Sequence, residues 1–166
     1  IYSVYPADID GDGDMDVVTG SKRSYDGRNY NDEKWVAWFN NTDGKGTFSE
    51  KIIITRNVLN LMFVYAADLD GDGDMDVFSA SQKDNKIAWY ENNGDGTFKS
   101  DHPAITTNAQ SANSVHVADI DGDGVLDVLS ASGGTYNAGV LTGSEIAWYR
   151  THPPFTHAYG PITSTG

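Results

Sequence analysis

Three stretches of this chain are near copies of one another. VYPADIDGDGDMDVVTGS (4–21) returns as VYAADLDGDGDMDVFSAS (64–81) and as VHVADIDGDGVLDVLSAS (115–132). A second block follows each copy: WVAWFNNTDGKGTF (35–48), KIAWYENNGDGTF (86–98) and the shortened EIAWYR (145–150). Such a chain folds one supersecondary unit several times, and each unit needs its neighbour to bury its apolar side. Asp8, Asp68 and Asp119 open the corresponding loops, 60 and then 51 residues apart. That period holds about four short strands.

The pattern within a unit agrees. NSVHVAD alternates and is rich in β-branched residues, which predicts a strand; LDVLSAS and EIAWYR predict a second and a third. In the first two units a glycine-rich turn, DGKGTF or NGDGTF, leads to a fourth, SEKIIIT or PAITT. No segment keeps a helical period. The expected fold is all-β: three four-stranded antiparallel units of the β-propeller-blade type, at 1–58, 59–108 and 109–150. Residues 151–166 hold three of the five prolines and are expected as an irregular last strand, a linker or a docking arm. Closed propellers have about four to eight blades. Three blades leave two raw sheet edges. The chain is therefore expected to belong to a larger propeller, or to meet other copies of itself in a ring or filament. It opens at IYSVYPAD without an initiator Met, which reads as a processed product or a piece of a longer chain.

Each repeat carries aspartates at alternate positions among glycines. Like charges at that density need a solvated loop or a cation. A hard divalent ion such as Ca²⁺ takes six to eight oxygens from a short curling loop. Side chains at loop positions 1, 3, 5 and 9 would supply Asp8, Asp10, Asp12 and Asp16 in the first unit. The second would supply Asp68, Asp70, Asp72 and Asp76, and the third Asp119, Asp121, Asp123 and Asp127. Position 7, which is Asp14, Asp74 or Val125, would give only its backbone carbonyl. The third repeat drops its aspartate at that position alone, a selectivity that a merely solvated acidic loop has no reason to show. The expectation is three Ca²⁺ sites. An EF-hand is excluded, because position 12 is Thr19, Ser79 or Ser130 where that motif needs Glu, and strands flank the loop.

The motif D-x-D-x-D-G-x-x-D, followed by the aromatic strand IAWYENNGDGTF, resembles the FG-GAP/VCBS family of calcium-binding β-propeller repeats. The resemblance runs to about Tyr149. It implies one blade per repeat, with the calcium loop joining the first two strands. The Phe-Gly and Gly-Ala-Pro signatures behind the family name are absent, which favours the VCBS-like branch. Family members include the integrin α-subunit head, fungal lectins and many secreted or surface proteins.

Net charge is −13, so nucleic acid and anionic lipid are excluded as partners. The longest apolar run, VLNLMFVYAA, is about half a membrane span, so no membrane insertion is expected. With no cysteine, disulfides cannot staple the sheets, and calcium is expected to do so. Loops of this kind fill at extracellular rather than cytosolic calcium, which predicts an extracellular or cell-surface location. Units one and three carry longer segments between their second and third strands, read as loops at 22–34 and 133–144. Tyr25, Asp26, Arg28, Asn29 and Tyr30 in the first, Tyr136 and Asn137 in the second, and the nearby Trp35 are candidate glycan contacts. The doublets Trp38–Phe39, Trp89–Tyr90 and Trp148–Tyr149 recur in register and predict core. His116 aligns with Tyr5 and Tyr65, which predicts a packed or channel-lining side chain. Asn40-Asn41-Thr42 is an N-glycosylation sequon read in an exposed turn, with Asn40 the acceptor. No nucleophile stands with a paired base, so the chain is read as a structural or adhesive module, alternatively a lectin-like one, and not as an enzyme.

Overall fold

The computed structural model describes residues 1–22, 24–25, 30–31, 34–101, 103–137, 140–151 and 158–159. Among them there is no helix, and three four-stranded antiparallel sheets follow one another along the chain. The first runs β1 (Ser3–Ala7), β2 (Asp16–Ser21), β5 (Trp35–Phe39), β6 (Ile52–Thr55). The second runs β7 (Leu61–Ala67), β8 (Asp76–Ser81), β9 (Lys86–Tyr90), β10 (Ala104–Thr106). The third runs β11 (Ala112–Ala118), β12 (Asp127–Asn137), β13 (Val140–Tyr149), β14 (Ala158–Tyr159). Each is a meander whose first two strands are joined by an aspartate loop. That connection places Asp8, Asp68 and Asp119 at the same end of their sheets.

Two elements depart from the expected loops. Within 22–34, β3 (Ser24–Tyr25) and β4 (Tyr30–Asn31) pair as a small separate hairpin, with Tyr25 opposite Tyr30. The segment 133–144, expected as a loop, is strand over its described residues: β12 and β13 run on together, pairing Gly133 with Ser144 and Asn137 with Val140. Sequence punctuation misled here, because Gly133 and Gly134 lie inside β12, Gly134 at φ 66°. In the proline-bearing tail, β14 joins as a short edge strand, Tyr159 opposite Trp148.

The sheets stack face to face, with β7 between β1 and β11. One face of the first sheet, carrying Val18, Val36 and Trp38, packs on Leu61, Val64, Val77 and Tyr90 of the second. The opposite face of the second sheet, carrying Phe78, Ala80 and Ile87, packs on Val115, Val128, Ala147 and Tyr149 of the third. One member of each aromatic doublet is therefore core: Trp38, Tyr90 and Tyr149 are buried. The two buried tyrosines meet serine hydroxyls, Tyr90 with Ser79 at 2.9 Å and Tyr149 with Ser130 at 3.3 Å. A buried phenol needs such a partner. The first sheet has Phe39 at this position, where it is only half-buried. Along the inner strands Tyr5, Tyr65 and His116 form a ladder, with ring centroids 4.8 and 5.0 Å apart. That is the packed role expected of His116, although it is the exposed end of the row.

Candidate metal centres

The three aspartate loops have one construction. The first aspartate holds the loop's own backbone: Asp8 accepts the N–H groups of Gly11 (2.9 Å) and Gly13 (3.0 Å). Asp68 does the same for Gly71 and Gly73, and Asp119 for Gly122 and Gly124. This curl needs a residue with positive φ at position 6, and Gly13, Gly73 and Gly124 adopt φ 93°, 98° and 87°. The last aspartate anchors the loop to the sheet. Asp16 is buried; its carboxylate accepts the N–H of Ile9 at 2.9 Å and that of Asn41, beyond β5, at 2.8 Å. Asp76 accepts from Leu69 (3.2 Å) and Asn92 (2.9 Å) in the same way. Asp127 accepts from Ile120 at 3.1 Å.

This curl brings carboxylate oxygens together. In the sets Asp8–Asp10–Asp16, Asp68–Asp70–Asp72 and Asp119–Asp121–Asp127, one oxygen per residue lies within 4.8 Å of the others. Oxygens on opposite sides of a Ca²⁺ ion, each about 2.3–2.6 Å from it, stand about that far apart. Each set uses three of the four side chains named from the sequence. The one left beside each set is Asp12 in the first loop, Asp76 in the second and Asp123 in the third; Asp12 and Asp123 accept the N–H groups of Asp14 and Val125. In the first loop Asp10 Oδ1 is buried with no hydrogen-bond partner. An orphaned carboxylate oxygen among three other carboxylates is what a cation would satisfy. The donor set therefore fits a hard divalent ion in composition and in spacing.

Position 7 has a different task. The Asp14 carboxylate lies against the glycine turn of its own unit, so close that a Cβ on Gly44 would stand 2.5 Å from both oxygens. Asp74 crowds Gly94 in the same way. The third unit has no such turn, and there position 7 is Val125. The aspartate and the turn are lost together.

The third strand supplies neighbours that the aspartate motif alone does not announce. The position after the aromatic doublet is Asn40, Glu91 or Arg150. Asn40 Nδ2 donates to Asp10 Oδ2. Lys99 pairs with Glu91 and also acts electrostatically on Asp70. Arg150 forms an ion pair with Asp121 and lies 3.9 Å from Asp123. The next position is Asn41, Asn92 or Thr151, each donating to the carbonyl before the last aspartate, at Met15, Met75 or Leu126. Asn92 donates as well to Ile9 O at 2.7 Å, tying the second sheet to the first loop. The repeat alignment WFNN, WYEN, WYRT was the available signal for these residues.

Two expectations need correction. Trp35 is 5% exposed, and the Lys51 ammonium sits 4.3 Å from its ring centre, so it has no open face for a sugar. Asn40 is not a free acceptor in an exposed turn: the nitrogen that would carry a glycan is the one facing Asp10. Of the other glycan candidates, the backbones of Tyr25, Tyr30, Tyr136 and Asn137 lie in β3, β4 and β12, while Asp26, Arg28 and Asn29 lie outside the described residues.

The model of the family described as FG-GAP-like repeat matches residues 8–79 and 68–130, which together take in all three loops. No curated protein matches the chain. Among solved structures, a lectin from Agrocybe aegerita, studied for specific recognition of non-reducing terminal N-acetylglucosamine, is similar with a TM-score of 0.55 and 21% identity. The match covers 90% of this chain and 34% of the lectin, so the chain spans about a third of that structure. At this identity the likeness speaks for the fold.

Burial pushes the Asp76 carboxyl up to about 6, against the pull of its N–H partners. Asp10 and Asp70 are also raised, first by burial and then by neighbouring carboxylates. A carboxyl raised on folding binds its proton more tightly in the folded state, so its contribution to stability is full below about pH 4 and lost as pH rises through about 6. Asp43 and Asp95, held low by Thr47 and Thr97, act in the opposite sense but are fully exposed. In chelator, thermal melts are expected to show higher Tm near pH 4.5, where most of that contribution remains, than at pH 7, where it is lost. A chelated protein that melts higher at pH 7 would contradict this account of the loops.

Proposed function

The chain belongs to the FG-GAP-like repeat family, and from that premise we propose that it is a calcium-binding β-propeller-type module with a structural or adhesive role. The observation that carries the proposal is the repeated gathering of three carboxylates within 4.8 Å, with Asp10 Oδ1 left buried and unpartnered in the first loop. Asp8, Asp10, Asp12 and Asp16, and their counterparts in the other loops, would hold the ion. The ion would supply charge neutralisation: three divalent ions would offset about half of the net −13. With no disulfide available, they would fasten the first two strands of each sheet to the start of the loop after the third. The chain's own contribution is the preformed curl, fixed by Asp8 on Gly11 and Gly13 and by Asp16 on Ile9 and Asn41.

An affinity in the range of extracellular modules, about 10⁻⁴–10⁻³ M, would suit a protein working outside the cell or at its surface. The missing Phe-Gly and Gly-Ala-Pro signatures favour the VCBS-like side of the family. No helix among the described residues is long and apolar enough to cross a membrane. The uncovered outer faces of the first and third sheets support reading the chain as a unit of a larger assembly.

Saturating calcium at about 100 times Kd stabilises by about 2.7 kcal/mol per site. Removing it with EDTA is expected to lower Tm by at least about 5 °C. Asp70→Ala should remove one site and leave the other two. Asp14→Ala should leave all the sites, since its side chain faces Gly44. A Tm indifferent to EDTA would sink the calcium proposal.

A second reading is a lectin-like glycan-binding module. It is favoured by the hairpin β3–β4, which pairs Tyr25 with Tyr30 where the second sheet has only a short turn, and by the lectin among the similar folds. A glycan array decides it: binding that is lost when 22–34 is replaced by the short QKDN turn of the second unit (82–85) supports this reading, and binding that survives the replacement excludes that loop.

A further inference from the structure

The two sheet-to-sheet contacts inside the chain are the same contact made twice. In each, the face carrying positions Val18/Phe78 and Val36/Ile87 receives the next sheet's inner-strand valine, Val64 or Val115. Both valines have 0% exposure. Next to Val64, Leu61 presses so closely on Gly20 that a Cβ there would overlap its side chain.

Each half of this contact is repeated once more, without a partner among the described residues. In the first sheet Val4 is the counterpart of Val64 and Val115, in the same register against β2: Val4 pairs with Thr19 as Val64 does with Ser79. It is 64% exposed, and Ile1, in sequence the counterpart of Leu61, is 83% exposed. Val17, on the same face, is half-buried, whereas its counterparts Val77 and Val128 are buried. At the other end, the third sheet presents the receiving face. His116, Leu129, Ala131 and Ile146 stand where Tyr5, Val18, Gly20 and Val36 stand in the first sheet. With Ser114 and Ser130 they line an open cavity of about 260 Å³, whose walls are almost wholly apolar. Ile146 is 47% exposed, against 0% for Val36 and Ile87. Such a volume is many times that of a water, about 30 Å³. It lies where the chain's own repeats place a valine side chain.

We propose that the occupant is a second copy of this chain, docked head to tail, with Val4 of one copy seated in the Leu129–Ala131–Ile146 cleft of the other. The argument is continuity: the unpartnered faces are the two complementary halves of an interface the chain already builds twice. The contact is heterologous, so it closes into a ring or propagates, according to the rotation between copies. The inference rests on the reading of the chain as a unit of a larger assembly, and it does not depend on calcium.

The test uses the full chain with Val4→Asp and Ile146→Asp, both at exposed positions. At dilutions where the wild type is monomeric, each variant should keep its melting curve. In sedimentation at high micromolar concentration the wild type should form dimers or larger species, and each variant alone should be monomeric. An equimolar mixture should recover a 1:1 dimer and nothing larger, because one intact half remains on each partner. A monomeric wild type would overturn both this contact and self-assembly of the chain, leaving further repeats of a longer polypeptide to cover the faces. A wild type that associates while both variants associate equally well would overturn this contact alone and leave the assembly reading standing. Variants that are monomeric alone but fail to pair when mixed would also overturn it, since that is the behaviour of a self-complementary contact.

Discussion

A buried carboxylate at the last position of each loop holds this architecture in place. Asp16 lies inside the protein, yet it bridges two backbone N–H groups from separate segments, Ile9 in the loop and Asn41 after the third strand. Asp76 repeats this with Leu69 and Asn92. A charge so placed is tolerated because charge-assisted hydrogen bonds replace its water. Removing it would orphan two buried donors, at about 1–3 kcal/mol each. It fixes the loop over the end of the sheet, and the remaining aspartates are positioned from that point.

From there the repeats diverge in chemistry while keeping their geometry. Asp14 and Asp74 fold back onto the glycine turns of their own units, and the third unit has neither the aspartate nor the turn. Beside the aspartate at loop position 3 the partner changes from the neutral Asn40 on Asp10, to the Lys99–Glu91 pair near Asp70, to the guanidinium of Arg150 on Asp121. Under the proposed cation binding the loops are therefore graded. The first offers an unpaired oxygen, and the third must first release an arginine. Thr151 keeps the bond to Leu126 that Asn41 and Asn92 make at their own positions, so the sheet connection survives the change in charge.

The repeat made most of the fold legible, because a threefold copy gives strand order, loop position and register at once. The β-branched alternation located β11, the repeat carried it to β7, and the glycine spacing located the curls. What the sequence hid lies in contacts across the sheet. Trp35 reads as an exposed aromatic at a loop edge, but Lys51, on the approach to β6, covers it. Asn40 reads as a sequon until the fold turns its amide to Asp10. Gly133, Gly134 and Gly143 read as loop residues, whereas they lie within β12 and β13. Arg150 is ordinary in sequence, and only the return of β13 past the third loop brings it to Asp121.

The central claim is that the three loops are cation cages. Native mass spectrometry of the chain across a calcium titration counts them directly. The account predicts stepwise addition to three Ca²⁺ per chain, two steps at lower calcium and the last at higher, with Arg150→Gln bringing that last step down. A chain that takes up no calcium, or whose uptake is unchanged by loss of Asp10, Asp70 and Asp121 together, would contradict it.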